Sequence, residues 1–138
     1  MRYRVVAVGG GRMKSAALRA ACDEYLGRIQ HYAKIEEQEV KEARISEDSR
    51  LVALSRRGEP WTSAQLAELV GRWEMEGRDV TFAIGDADGL PEETLRGAER
   101  TWSLGPLTLP HELARVVLYE QLYRAYTIRR GEPYHRGS

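Results

Sequence analysis

Hydrophobic positions fall into short consecutive runs separated by stripes of three- and four-residue spacing. Tyr3-Arg4-Val5-Val6-Ala7-Val8 is short and rich in β-branched side chains, and it stops at Gly9-Gly10-Gly11, which predicts a first strand and a turn. From Ser15 to Gln30 the apolar residues Ala17, Leu18, Ala21, Cys22, Tyr25, Leu26 and Ile29 trace one face of an amphipathic helix. Residues 34–45 alternate loosely, with Ile35 and Val40 among glutamates, as an exposed strand does. Leu51-Val52-Ala53-Leu54 reads as a buried strand running into the loop Ser55-Arg56-Arg57-Gly58. Thr62 and Gln65 have capping-box spacing, and Leu66, Leu69, Val70 and Trp73 continue a helix that ends near Gly77. Residues 79–85 predict the next buried strand, Pro91 opens a short helix reaching about Arg100, and residues 101–104 form a last strand.

Strands alternating with helices imply an α/β protein with a parallel sheet, in which ligands bind beyond the carboxyl ends of the strands. The loops after Leu54, Ile84 and Ser103 are therefore the ones to watch. The segment from His111 to Ile128 has no interior Gly or Pro and predicts one long helix. Its apolar residues cover more than one face, so it is expected to pack on a second subunit as well as on its own sheet.

At 138 residues and 42% apolar composition the chain is sized for a single domain, residues 1–138, with enough core to need no staple. A lone cysteine, Cys22, leaves no internal disulfide, and it lies on the apolar stripe of the first helix. His31, His111 and His135 are too scattered for a zinc site, so no metal is expected. The opening MRYRVVAVGG is unlike a signal peptide and no run is long enough to span a bilayer, which predicts a cytoplasmic protein without membrane contact. The net charge is zero, yet residues 1–34 carry seven basic and two acidic side chains and residues 35–110 carry nine and sixteen. A positive patch is expected where the two basic ends meet. Gly9-Gly10-Gly11-Arg12-Met13-Lys14-Ser15 lies between a strand and a helix, but a phosphate loop needs glycine at the positions held by Val8 and Met13. An ordinary glycine turn accounts for it better.

The run WSLGPLTLPHELARVVLYEQLYRA over residues 102–125 closely resembles the signature of the RlmH family, SPOUT-class methyltransferases of bacterial 23S ribosomal RNA. Similarity extends to Val5, Ala7, Val8 and Gly9, to Glu24-Tyr25-Leu26, Gly77-Arg78-Asp79-Val80, Ile84-Gly85 with Gly89-Leu90, and the tail Pro133-Tyr134-His135-Arg136. The resemblance implies a SPOUT fold with a carboxyl-terminal trefoil knot, a homodimer with a shared cleft, S-adenosylmethionine as cofactor, and methylation of N3 of a pseudouridine in the assembled ribosome. By position it places the cofactor at Leu54, Gly85 and the stretch Leu104, Gly105, Pro106, Leu107, Thr108 and Leu109. It places catalysis at Tyr134, His135 and Arg136. A chain of Leu, Gly and Pro offers an apolar wall and backbone groups suited to an uncharged purine. Of the tail residues, His135 has the side-chain type that titrates near neutrality, and Arg136 is suited to gripping a phosphate or carbonyl.

Two positions depart from the family pattern. Gly85-Asp86-Ala87-Asp88-Gly89 stands where the family has Gly-Gly-Pro-x-Gly, and a carboxylate there can crowd the cofactor, repel its carboxylate or attract its ammonium. The stretch between Val40 and Leu51 is shorter than in typical members and lacks room for a helix. Both leave open an alternative reading, a diverged SPOUT protein that binds RNA or the ribosome without transferring methyl.

Overall fold

The computed structural model describes residues 1–10 and 12–137; Gly11, the last residue of the expected glycine turn, lies outside the described residues, as does Ser138. Among the described residues five strands and four helices follow the predicted order: β1 (Arg2–Val8), α1 (Ala16–Ile29), β2 (Lys34–Val40), β3 (Arg50–Glu59), α2 (Ser63–Glu76), β4 (Val80–Gly85), α3 (Glu92–Gly97), β5 (Arg100–Trp102) and α4 (His111–Arg129). All strand pairs are parallel, in the order β2-β1-β4-β3-β5. The central strand β4 is buried over Val80–Ile84, which is why it reads as an unbroken apolar run and not as an alternating one.

Local chemistry sets the helix ends. Ser15 caps α1 by accepting from the Leu18 amide, and Thr62 and Gln65 form the expected capping box on α2. Gly77 ends α2 with φ +76°, a left-handed turn that side chains disfavour. The last helix calls for a correction. Its two apolar sides are both used within the chain, because α4 packs on α1 and on α2 as well as on the sheet. Tyr119 is fully buried, and Tyr123 packs on Tyr25, Tyr32 and Tyr134. A second subunit is therefore not needed to cover those faces. Among the apolar residues of α4, Leu113 and Val117 stay half-exposed and stand apart from the core cluster.

The core joins Tyr3, Val5, Val52, Phe82 and Trp102 of the sheet to Leu66, Val70 and Trp73 of α2 and to Leu118, Leu122 and Tyr126 of α4. The opposite sheet face carries smaller side chains, Val6, Ala53, Thr81 and Ala83, all buried. The link from β2 to β3 crosses over without a helix, as its length predicts, and Ser49 ties it down through a 2.7 Å hydrogen bond to Thr81.

The basic ends do meet, through a 2.8 Å bond between the Tyr3 and Tyr126 hydroxyls, but the expected positive patch is largely neutralised. Arg4 pairs with Glu36 and Asp79, Arg28 with Glu24, Arg124 with Glu120, and Arg129 with Glu74. The acidic middle of the chain supplies many of these partners. No helix is long and apolar enough to cross a membrane among the described residues.

Candidate active site

The straight part of β3 ends at Leu54, where a register shift lets Leu54 and Glu59 both pair with Trp102. The intervening residues bulge outward, so Arg56 and Arg57, expected in a loop, stand exposed beside the strand end. β4 ends at Gly85 and β5 at Trp102, and the chain then crosses the ends of β3 and β4 to start α4. The three loops so gathered enclose a cleft of about 520 Å³. Leu54, Gly85, Leu104, Gly105, Leu107, Thr108 and Leu109 all line it, while Pro106 does not. Trp102, Leu95 and Ala114 add apolar wall, and Asp86, Asp88, Glu92, Arg56 and Arg57 add charge.

Two glycines shape this cleft for different reasons. A Cβ on Gly85 would sit 2.4 Å from the Gly89 carbonyl carbon and 2.6 Å from the Leu90 nitrogen, so glycine is required there for one backbone to pass another. A larger residue at 85 displaces the loop before it can touch any ligand. Gly105 has φ +126°, and the Ser103 hydroxyl accepts from the Gly105 amide, fixing the bend that leads into the 104–109 stretch.

The start of α4 is held by charge. Glu112 accepts from the Lys14 and Ser15 amides, both at 3.0 Å, and these bonds hold its carboxyl below the usual range. One turn on, the buried Arg115 reaches Glu37 at 2.7 Å and Glu39 at 3.0 Å on the edge strand β2. Arg19 and the Tyr119 hydroxyl also converge on Glu37. Burial by itself would raise the Glu37 pKa, but the hydrogen bonds from Arg19, Tyr119 and Arg115 outweigh it and leave it lowered. Sequence reading missed this network, although glutamates at alternate positions 37 and 39 on one face of a strand, and an arginine in an otherwise apolar helix stripe, were its signal.

The tail lies elsewhere. Arg124 is clamped to Glu120 Oε2 through Nε at 3.1 Å and Nη2 at 2.9 Å, and Tyr134 donates to the same oxygen at 2.7 Å. Burial and the Glu120 carboxylate push the Tyr134 phenol well above its ordinary pKa. Arg124 Nη1 meets His135 Nδ1 at 3.1 Å. A guanidinium only donates, so Nδ1 accepts and the ring proton of neutral His135 sits on Nε2. That Nε2 is buried without a partner among the described residues, and Arg136 is exposed. His111 borders the cleft and Arg124 holds His135, thirteen residues along one helix, which is about 20 Å at 1.5 Å per residue. One chain thus assembles the expected cofactor residues but docks Tyr134 and His135 away from them, on Glu120 and Arg124 along the second half of α4.

An α/β protein with a parallel sheet, three loops converging beyond the strand ends and a polar carboxyl-terminal tail is the class of molecule these observations define. Residues 1–135 match the family described as "Predicted SPOUT methyltransferase", and the chain belongs to it. The protein named "Ribosomal RNA large subunit methyltransferase H" from Anaeromyxobacter sp. (strain Fw109-5) is 46% identical over 155 aligned positions, covering 99% of this chain and 100% of that one. The protein of the same name from Polynucleobacter asymbioticus is 41% identical over 148 positions, with 99% of each chain covered. Alignments longer than 138 positions mean that these relatives carry residues this chain lacks. Those names favour methyl transfer over the non-catalytic alternative. In fold, the chain is similar to a probable methylase family protein from Haemophilus influenzae Rd KW20, at TM-score 0.64 and 11% identity over 98% of this chain and 70% of that one. It is also similar to a probable methyltransferase from Bordetella pertussis Tohama I, at TM-score 0.58 and 12% identity over 90% and 95%.

The cleft suits the cofactor this family implies. Its volume lies in the range of small-molecule sites, and its walls combine apolar side chains such as Leu54, Trp102, Leu107 and Leu109 with charged ones of both signs, a set that suits an adenosine with a zwitterionic side arm.

Proposed function

We propose that this protein is an S-adenosylmethionine-dependent methyltransferase acting on N3 of a pseudouridine in 23S rRNA within the assembled ribosome. In this reading residues 1–138 form one knotted domain that works as a cytoplasmic homodimer. The convergence of the loops after β3, β4 and β5 on one cleft is the observation that carries it, together with relatives named for rRNA methylation. The docking of the tail on Glu120 and Arg124, and not on the cleft of its own chain, supports the dimer: two α4 helices crossing about a two-fold axis put the tail of one copy over the cleft of the other. Leu113 and Val117, one turn apart and unclaimed by the core, lie on the path between them.

When bound, the cofactor supplies a methyl group already activated by its sulfonium, so the chain's task is alignment. Leu54, Gly85, Leu104, Gly105, Leu107, Thr108 and Leu109 would hold the adenosine and exclude water. N3 of the base lies between two carbonyl oxygens, and the His135 Nε2–H, which has no partner among the described residues, is suited to donate to one of them once the base displaces the contacts that cover it, while Arg124, fixed by Glu120, keeps the ring in place. With its Nδ1 lone pair engaged, His135 orients the base and the N3 proton leaves to solvent. Arg136, exposed and bidentate, is suited to backbone phosphate.

Transfer of labelled methyl to ribosomes lacking the modification is the deciding assay. Full-length protein should label 23S rRNA, and protein ending at residue 133 should not, while both bind cofactor to within a few-fold. A full-length protein that binds cofactor yet never labels such ribosomes defeats this function.

A further inference from the structure

We propose that Asp86 is the counter-ion for the amino group of the methyl donor, so that this chain reads the amino-acid end of its cofactor through a carboxylate. The inference rests on the cleft being the donor site. Asp86 follows the last residue of β4, and its Oδ1 accepts from the Asp88 amide at 2.9 Å while its carbonyl accepts from Gly89 at 3.0 Å. The carboxylate is therefore fixed before any ligand arrives. It leans on the turn after β1: a Cβ on Gly9 would lie 2.6 Å from Asp86 Oδ2, and one on Gly10 would lie 3.3 Å from Asp86 Cβ. Those two glycines leave the room that the Asp86 side chain occupies, so it is accommodated there and does not block Gly85.

Among the described residues no Lys, Arg or His forms an ion pair with Asp86: of the three that border the small cavity on its other side, Arg115 is committed to Glu37 and Glu39, and Arg12 and His111 do not pair with it. Arg56 and Arg57 make no ion pair with it from the β3 bulge. Asp88 and Glu92 border the same cleft, so every charged side chain that the β4–α3 loop and the start of α3 contribute to it is negative. The donor carries a sulfonium and an ammonium against a single carboxylate. An ammonium meeting a fixed carboxylate oxygen forms a charge-assisted hydrogen bond without reorganising the loop. The donor's own carboxylate is then left for the Arg56 and Arg57 side of the cleft.

Calorimetry with three ligands tests this: S-adenosylmethionine, S-adenosylhomocysteine and 5′-methylthioadenosine, which lacks the amino-acid end. Each is titrated into the wild type, Asp86→Asn and Asp86→Gly. Asparagine keeps the acceptor for the Asp88 amide and removes only the charge. The first two ligands should bind about ten-fold more weakly or worse to both variants, and methylthioadenosine should be unchanged. On the wild type, S-adenosylhomocysteine stripped of its amino group should lose a similar factor, and that loss should vanish in Asp86→Asn. Unchanged or tighter binding of the amino-acid ligands to the variants overturns the proposal, as does an equal loss for all three. A wild type that binds none of them removes the donor site and this proposal together, whereas a wild type that binds them and tolerates the variants removes the role of Asp86 alone.

Discussion

His135 shows how neighbours decide what a side chain can do. Its type invites a general-base role, but Arg124 occupies Nδ1 and leaves a proton on the buried Nε2. A donor role predicts that His135→Gln, which keeps an N–H, retains methyl transfer within about ten-fold, while His135→Ala loses roughly 10²-fold. Single-turnover rates on unmodified ribosomes check this. If glutamine were as inactive as alanine and the wild-type rate fell away on acidification through the imidazole range, His135 would be the base after all. The residues around it were partly legible: Glu120 and Arg124 have the i,i+4 spacing of a helical ion pair, yet nothing in that spacing says that Tyr134 and His135 fold back onto them.

Among elements, the joint between β2, α1 and α4 is the most demanding, because it buries Arg115 against two glutamates of an edge strand. The Glu37 carboxyl is lowered in the folded state, so its contribution is complete above the ordinary carboxylate pKa of about 4.3 and is lost as pH falls through its own lower value. Thermal melts should show Tm dropping as pH is taken below about 4. Glu37→Gln should flatten that drop and cost on the order of 1–3 kcal/mol at neutral pH, since Arg115 then keeps only Glu39. An acid limb as steep in the variant as in the wild type would place the sensitivity elsewhere. The joint matters to function because it seats the start of α4, and with it His111 and Ala114, against the cleft.

For the whole molecule, the half-exposed pair Leu113 and Val117 is where a second copy has room, in contrast to the buried tyrosines of the same helix. Light scattering at micromolar concentration should give a dimer for the wild type and a folded monomer for Val117→Asp, because an unpaired carboxylate in an apolar interface is costly. The monomer should lose methyl transfer, as its tail no longer covers another cleft. Tyr119→Asp should instead unfold the chain, since Tyr119 is fully buried and hydrogen-bonded to Glu37. A wild type that is monomeric yet active would refute the shared site.

By itself, the order of residues determined the elements and the three loops that carry the cleft, since hydrophobic period, capping residues and glycine turns act over a few neighbouring positions. The motif over residues 102–125 and the tail tied it to one family for the same reason, being contiguous in the chain. Tertiary structure alone decided that α4 spends both apolar faces within its own subunit, that most of the basic ends are neutralised, and that Gly85 serves a backbone crossing. It also decided that the tail folds back onto Glu120 and Arg124 and not onto the cofactor residues of its own cleft. These are relations between positions far apart in the chain, and local periodicity carries no information about distances that only packing sets.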